Sequence, residues 1–299
     1  MSEQQEQTTN SFSETKVRGS EWKRFRRVFF AKGAVIGGLV ILVIVFLVAI
    51  FAAQLAPYDP YKPGVAPSLS KPSAQHWLGA DLLGRDTLSR LIYGSRTALE
   101  VGFISVIIGA AIGITLGLVA GYTRGFVSSL IMRIMDAMMC FPMLILSLVI
   151  AALLGNGIVN VIIALSVSSI PGYARVVFGL TLSIKENDYV LAQKSMGSGS
   201  WRTMLAHILP NAFPPLIVII TMQLGGLILA EAGLSFLGIG IKPPGAAWGA
   251  MVNEGYSYLT RNPVLSFAPG VAIMLVVFAF NIVGDGLRDA LDPRLRGLI

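Results

Sequence analysis

Charged residues are scarce in this chain. Asp, Glu, Lys and Arg make up 13% of its 299 residues, whereas hydrophobic residues make up 54%. Soluble domains carry about 25% charged residues, so the deficit argues against a soluble protein with one large core. The composition instead predicts an all-α polytopic membrane protein. The charges behind the net value of +7 are scattered between apolar runs, which favours a role in membrane topology over nucleic-acid binding.

Cysteine, histidine and nucleotide-binding motifs are nearly or wholly absent from the sequence. The single cysteine, Cys140, excludes an internal disulfide, and its apolar surroundings predict a buried structural thiol. The two histidines, His76 and His207, lie in loops, and G-x-S-x-G is missing, so a serine-protease site lacks its components. Without G-x-x-x-x-G-K-[ST] the chain has no phosphate loop for ATP. We therefore expect no enzyme activity, no metal site and no cofactor in this chain.

Long runs without charge are the main feature that is present. A helix needs about 20 apolar residues to cross the hydrocarbon layer of a membrane. The runs predict six transmembrane helices, with Gly155–Gly157 as the turn between the third and the fourth. Because polar residues precede the first helix and its apolar run is long, we expect an uncleaved anchor rather than a signal peptide. The expected spans are 33–56, 97–121, 134–154, 158–178, 210–231 and 263–285.

Lys and Arg are unevenly distributed over this six-helix arrangement. With the N-terminus inside, 16 of the 23 basic residues fall in inner segments, and cytoplasmic segments carry such an excess. The tail 1–32, the C-terminus and a loop at 186–210 are therefore expected in the cytoplasm. The loop 57–96 is expected outside, with a short amphipathic helix capped by Asp86. Its aspartates are spaced too widely to favour a metal site over capping and turns, and its basic residues are candidates for docking a partner.

Small residues recur at every fourth position of the second expected span. Such a smooth stripe lets another helix approach closely. The partner helix belongs either to this chain or to another chain, and the alternative is that glycine is merely common in membrane spans. The stripe consists of Ser105, Gly109, Gly113, Gly117 and Gly121.

The 186–210 loop has the pattern of two short helices. Asn187 or Asp188 can cap the first helix, and Gly197 is placed to end it as an exposed C′ glycine. Ser200 can cap the second helix.

The second helix has one apolar stripe. Pro210 is expected to mark the turn from this helix into the next span. Periodicity alone also fits an interfacial helix that rests on lipid headgroups. The stripe consists of Trp201, Met204, Leu205, Ile208 and Leu209, with Arg202, Thr203 and His207 facing away.

The spacing of this loop resembles a loop of ABC importer permeases: Glu-Ala-Ala, three residues, Gly, nine residues, Ile, one residue, Leu-Pro. The resemblance implies that this segment contacts an ATPase. Leu191, Gln193 and His207 depart from the family's pattern but leave the helix–glycine–helix form intact. The implied contact residues are Leu191, Ala192, Gln193, Gly197, Ser198, His207, Leu209 and Pro210.

Four further stretches extend the resemblance over nearly the whole chain. They are "LAPYDP" (55–60), "HWLGADLLGRDTLSRLIYGSRTAL" (76–99), "ILAEAGLSFLGIGIKPPGAAWGAM" (228–251) and "FAFNIVGDGLRDALDPRL" (278–295). Together they resemble the C-type permease of bacterial dipeptide and oligopeptide ABC importers, a group with relatives for glutathione and nickel.

This resemblance implies a type I ABC importer permease fold in the bacterial inner membrane and a set of partners. The partners are a second, B-type permease, two cytoplasmic ATPase subunits that bind ATP and Mg, and an extracytoplasmic solute-binding protein. The 186–210 loop is then the coupling element, and the segment 97–299 is the permease core. Di- and oligopeptides are the expected substrates, with glutathione or a nickel chelate as the alternative.

Polar residues within the spans are candidates for a cavity or gate. Glu231, Gln223 and Arg175 qualify, because such residues usually face a cavity or a partner inside a membrane; an inter-helix hydrogen bond is the alternative. Asp136 follows Arg133 by three residues, which predicts a local ion pair.

Two other functional classes fit the sequence poorly. A secondary transporter needs buried ion-coupling residues, often in paired repeats, and a membrane aspartyl protease needs two carboxylates within the membrane. ATP dependence in the presence of partner subunits would separate an importer from both.

Overall fold

The computed structural model describes residues 21–242 and 244–291, and the regular elements within these ranges are helical. The expected tail 1–32 is thus described only from residue 21, and the C-terminal tail only to residue 291. The helices are α1 (Glu21–Phe29), α2 (Gly33–Ile50), α3 (Ala52–Leu55), α4 (Thr87–Tyr122), α5 (Phe126–Met139), α6 (Met143–Leu154), α7 (Ile158–Ile184), α8 (Asp188–Ser195), α9 (Ser200–Thr203), a π-helical turn (Met204–Ile208), α10 (Leu209–Phe236), α11 (Trp248–Tyr256) and α12 (Val264–Leu291).

Helices cross between the two ends of the bundle. Five helical segments are long and apolar enough to span a membrane: α2, α4, α7, the continuous segment from α9 to α10, and α12. Helices α5 and α6 qualify only as a pair, with a bend of 90° between them. The pair still runs from end to end, since α5 begins beside Ala120 near the end of α4, and α6 ends at the start of α7. The prediction of an all-α, six-span membrane protein is confirmed.

The expected span 134–154 is not one continuous helix, because the chain breaks between Met139 and Met143. Pro142 has no backbone N–H and disfavours helical geometry at the preceding residue, Phe141. An apolar, charge-free run predicts where a chain enters the membrane and carries no information about its straightness.

Helix α4 is longer than the sequence pattern predicts. The short helix expected near Asp86 and the span 97–121 form one helix of 36 residues. At 1.5 Å per residue it is about 54 Å long, so it exceeds the ~30 Å hydrocarbon layer and extends beyond one side of it. Asp86 occupies the N-cap position as predicted, and its carboxylate accepts a hydrogen bond from the Ser89 amide at 2.8 Å.

The small-residue stripe of α4 lies directly against α7. A Cβ added at Gly113 would stand 2.7 Å from both the Ile170 carbonyl oxygen and the Tyr173 Cβ. At Gly121 it would stand 2.6 Å from the Thr181 Cβ. Only glycine permits this approach, because real Cβ atoms keep a larger distance from such neighbours. Ser105, Gly109 and Gly117 are buried along the same interface.

Both described ends of the chain lie at the same end of the bundle. Lys32, just before α2, donates a 2.6 Å hydrogen bond to Asp289 near the end of α12, and this bond and the carboxylate charge raise the pKa of Lys32. At the opposite end, Arg96 donates to the Ile50 carbonyl oxygen at 2.9 Å and so joins α4 to the end of α2. The 186–210 loop lies at the first of these ends, beside Tyr122 of α4. This arrangement agrees with an even number of crossings.

Residues 57–86 and α11 form a cap on the other end of the bundle. Asp81 accepts from the buried guanidinium groups of Arg85 and Arg90 at 2.6 Å each, and both arginines also donate to Glu254 of α11. Trp248 Nε1 of α11 donates to the Leu91 carbonyl oxygen at 2.9 Å. The cap is therefore fixed to the start of α4 by charge-assisted hydrogen bonds.

Carboxylates of the cap serve capping and turn roles. Asp59 accepts from the Tyr61 amide at 2.8 Å, and Asp81 accepts from the Leu83 and Arg85 amides at 2.9 Å. Asp86 is fully buried and also bonds His76 Nδ1 at 2.9 Å.

The expectation of a buried thiol is wrong. Cys140 lies at the α5–α6 bend and is exposed on this chain, and its Sγ is 3.3 Å from the Asp136 carbonyl oxygen. An apolar setting does not imply burial within one membrane subunit, because lipid or a neighbouring subunit can cover the surface.

Candidate functional site

The first helix of the 186–210 loop ends in a glycine turn. Gly197 has a positive φ of +82°, and its amide donates to the Lys194 carbonyl oxygen at 3.0 Å. The Ser198 amide donates to the Gln193 carbonyl oxygen at 3.1 Å. This pair of bonds defines a Schellman motif with glycine at C′. A Cβ at Gly197 would meet no atom within 4 Å, so its surface is open. At the other end, Asn187 is the N-cap residue, although its side chain accepts no capping hydrogen bond.

Helix α8 has an inner and an outer face. Val190 is buried, and together with Leu191 and Lys194 it borders a cavity of about 100 Å³ that reaches Tyr122 of α4. The outer face follows i, i+3, i+4, i+7 spacing, and its residues are exposed or half-buried. It consists of Tyr189, Ala192, Gln193 and Met196.

Pro210 does not turn the chain, contrary to the prediction. The segment from α9 through the π-helical turn into α10 is continuous. Within it, the Leu209 amide donates to the Met204 carbonyl oxygen, five residues back. Proline removes one amide donor and crowds the carbonyl four residues earlier, and a π turn directly before Pro210 widens the helix at that point. The Asn211 side chain bonds the His207 carbonyl oxygen at 2.7 Å.

The predicted apolar stripe of the second helix is wrong in part. Met204 and Ile208 are buried, but Trp201 and Leu205 are 63% and 55% exposed. Thr203, expected to face away, is fully buried. The π turn shifts the side-chain register, which a regular 3.6-residue period does not anticipate. Gly199, not Ser200, is the N-cap residue of α9.

The predicted contact residues differ in their exposure. Leu191, Ala192, Gly197 and Pro210 are exposed, whereas Gln193, Ser198, His207 and Leu209 are half-buried.

Sequence reasoning missed that four large side chains of the 186–210 loop are exposed, namely Tyr189, Met196, Trp201 and Leu205. The first two share the i, i+3, i+7 spacing of Ala192, and that spacing was the available signal.

A second group of residues lies between α5 and α7. The Arg175 guanidinium of α7 donates to the Asp136 carboxylate of α5, and their side chains are 51% and 47% exposed. The predicted local pair between Asp136 and Arg133 is therefore wrong. Side chains of adjacent helices compete for the same carboxylate, and sequence separation does not decide the outcome.

The other two cavity candidates have different environments. Gln223 of α10 is half-buried, and its amide nitrogen lies 3.6 Å from the place of a Cβ on Gly172 of α7. Glu231 is 1% exposed and accepts a 2.7 Å hydrogen bond from Ser235, which in turn accepts from the Ile241 amide. Glu231 therefore lines no open cavity here, and it stabilises the turn that follows α10.

Comparisons with known proteins cover almost the entire chain. Residues 113–297 match the family described as binding-protein-dependent transport system inner membrane component. Residues 20–83 match the N-terminal TM domain of oligopeptide transport permease C.

Curated relatives and solved structures agree with these matches. The glutathione transport system permease protein GsiD of Escherichia coli O1:K1 / APEC is 46% identical over 277 residues, which cover 92% of this chain and 90% of that protein. The protein of the same name from Salmonella typhimurium (strain LT2) has the same identity and coverage. A chain of the inward-facing MetNI methionine ABC transporter aligns with a TM-score of 0.57 at 21% identity, over 69% of this chain and 97% of that chain. This last likeness concerns the fold alone.

Proposed function

This chain belongs to the family of binding-protein-dependent transport system inner membrane components and is a permease subunit of an ABC importer, and we propose that it forms half of a translocation path for peptides. Di- and oligopeptides are the proposed substrate class. Glutathione, itself a tripeptide, is the first substrate to test, because the glutathione permease GsiD is 46% identical over nearly the full chain.

The observation that supports an ATP-driven translocation path is the exposed surface of the 186–210 loop. Helix α8 presents Tyr189 and Met196 around the small residue Ala192, next to the open turn at Gly197. Large apolar side chains exposed together at one end of a bundle favour a protein-binding site. We propose that this surface docks an ATPase subunit in the cytoplasm, and that ATP and Mg bind to that partner.

The opposite end of the bundle has features of a second docking surface. Trp77, Leu82 and Leu83 of the cap are at least half exposed. Two of the basic side chains expected to help docking, Arg85 and Arg90, are buried in ion pairs, whereas Lys62 and Lys71 are exposed. We propose that apolar side chains of the cap contact an extracytoplasmic solute-binding protein.

The second permease completes the path under this proposal. Exposed apolar side chains on α5, on α6 and in the bend between them, such as Phe126, Val149 and Phe141, offer a surface that lipid or a partner permease would cover. We propose that this bundle end faces the cytoplasm of a bacterial inner membrane, because it contains the 186–210 loop together with α1 and its basic residues.

Reconstitution tests the proposal. The chain is combined with its partner permease, two ATPases and binding protein in proteoliposomes, and uptake of radiolabelled glutathione and of a set of di- and oligopeptides is measured with and without ATP. We expect ATP-dependent uptake of at least one of these peptides. Uptake that ignores ATP but follows an ion gradient would favour a secondary transporter, and uptake of none of them would overturn the substrate class.

A further inference from the structure

One face of α7 is exposed or half-buried within the described chain. Gly172, Arg175 and Gly179 are spaced by three and four residues, so they share a face, and this face is opposite the one that contacts α4. A Cβ at Gly179 would meet no atom within 4 Å, and a Cβ at Gly172 would meet only Gln223. Glycine weakens a helix interior relative to alanine, so contacts within this chain do not account for these two glycines.

Arg175 stands between the two glycines and keeps donors free. The structure pairs its guanidinium with Asp136 through one nitrogen, and half of the side chain is exposed. A guanidinium carries five N–H donors, so a second acceptor can bind while Asp136 stays in place. Arg133, one turn from Asp136 on α5, is also exposed. Two cations around one carboxylate leave a local surplus of positive charge.

The depth of this pair within the bundle limits what it can face. On α7, Ala174 and Val177 lie against Gly117 of α4, which is five residues before the end of that helix. At 1.5 Å per residue the Arg175–Asp136 ion pair therefore lies about 8 Å from the end of α4, measured along the helix axis. Exposed charges at this depth are costly against lipid and usually face a cavity or a partner.

We propose that Arg175 binds a carboxylate of the passing substrate, with Asp136 orienting the guanidinium between transport events. The inference rests on the proposed function and names a contact for its substrate class, because every unmodified peptide carries a carboxylate and glutathione carries two. Gly172 and Gly179 leave room for the substrate beside Arg175. The Gln223 amide, on the adjacent helix, is available as a further hydrogen-bonding group.

Charged thiol reagents measure water access and local charge at this face. In a Cys140→Ser background, Gly179→Cys places a thiol one turn from Arg175. Anionic and cationic methanethiosulfonates are applied to the assembled complex. The labelling rate of each reagent is divided by the rate at which the same reagent reacts with a small thiol in solution. We expect labelling from water with preference for the anionic reagent, and Arg175→Gln should reduce that preference about tenfold. Gly37→Cys on α2, where a Cβ meets nothing within 4 Å, is the matched control and should remain unlabelled in lipid.

Substrate protection tests the carboxylate contact itself. Glutathione, supplied with binding protein and ATP, should slow labelling several-fold with Arg175 present and leave it unchanged in Arg175→Gln. Should Arg175→Gln fail to assemble, Asp136→Asn tests the charge at this site in its place. Because it removes a negative charge beside Arg175, it should increase the preference of the Gly179→Cys thiol for the anionic reagent.

Three results would overturn the inference: no labelling of the Gly179→Cys thiol, equal rates for both reagents, or equal protection with and without Arg175. The first would indicate that this face contacts the second permease. Labelling as expected without uptake of any peptide would instead overturn the proposed substrate class, and it would still show that water reaches this face of α7.

Discussion

Nη1 of Arg90 on α4 lies 2.6 Å from Oε2 of Glu254 on α11, although 164 residues separate them in sequence. Arg90 is 1% exposed and also bonds Asp81 of the cap. One buried guanidinium therefore joins two segments of the cap, 57–86 and α11, to helix α4.

Removing this guanidinium should destabilise the permease. We expect Arg90→Met to lower the free energy of unfolding by about 3–5 kcal/mol, because it leaves Asp81 buried without one of its two cations. Thermal unfolding of the purified permease pair in nanodiscs measures the change. Arg202→Met, at an exposed arginine, is the control and should change stability by less than about 0.5 kcal/mol. Equal melting temperatures for the two variants would show that the ion pairs do not hold the cap.

The α4–α7 interface should not tolerate a methyl group. At Gly113 an added Cβ would stand 2.7 Å from backbone and side chain of α7, so Gly113→Ala should cost about 1–3 kcal/mol. Gly37→Ala adds the same methyl where nothing lies within 4 Å, and it should be neutral or slightly stabilising because alanine favours helix. The readouts are membrane yield and thermal stability. A normal yield of Gly113→Ala with an unchanged melt would mean that the helices separate at no cost.

The outer face of α8 should decide attachment of the ATPase. Ala192→Asp introduces a charge at its centre, and an unpaired charge buried at an interface is costly. Gly197→Glu adds strain of about 1 kcal/mol at a positive φ and a side chain at the open turn. Both variants should keep the second permease bound while co-purification of the ATPase falls about tenfold or more.

Arg202→Glu is the control for charge at the 186–210 loop, since Arg202 is exposed and lies on α9 rather than α8. Its effect should be milder. If Ala192→Asp and Gly197→Glu both bind the ATPases and respond to loaded binding protein as the unmodified chain does, this loop is an interfacial segment and not the coupling element.

Thiol labelling tests the orientation of the two bundle ends. In a Cys140→Ser background, Ala74→Cys in the cap and Ser200→Cys at the start of α9 are both at exposed positions. An impermeant maleimide should label the first from the periplasmic side and the second only after the cytoplasmic side is opened. Labelling of both from one side would contradict the six-span arrangement.

Features that depend on composition or on a few adjacent residues could be predicted from the sequence. The charge-free runs identify the membrane segments, because transfer into lipid depends on apolar content over about 20 residues. The Asp86 cap and the Gly197 turn follow from local backbone chemistry. A side-chain acceptor satisfies free amide groups at the start of a helix, and a glycine adopts the left-handed geometry that ends one. The family resemblance adds the partners, which no single residue type reveals.

Features that depend on which surfaces meet were decided by the tertiary structure. Asp136 has Arg133 on its own helix, yet pairs with Arg175, because α5 and α7 are adjacent in the bundle. Glu231 accepts a hydrogen bond from Ser235 and lines no open cavity. Arg90 reaches Glu254 only because α11 folds back onto α4. Ion pairs and hydrogen bonds form between the nearest available groups in space. The sequence determined the membrane helices and some of their ends, such as those at Asp86 and Gly197, whereas the tertiary structure alone decided which polar side chains are satisfied internally and which remain open to a partner or substrate.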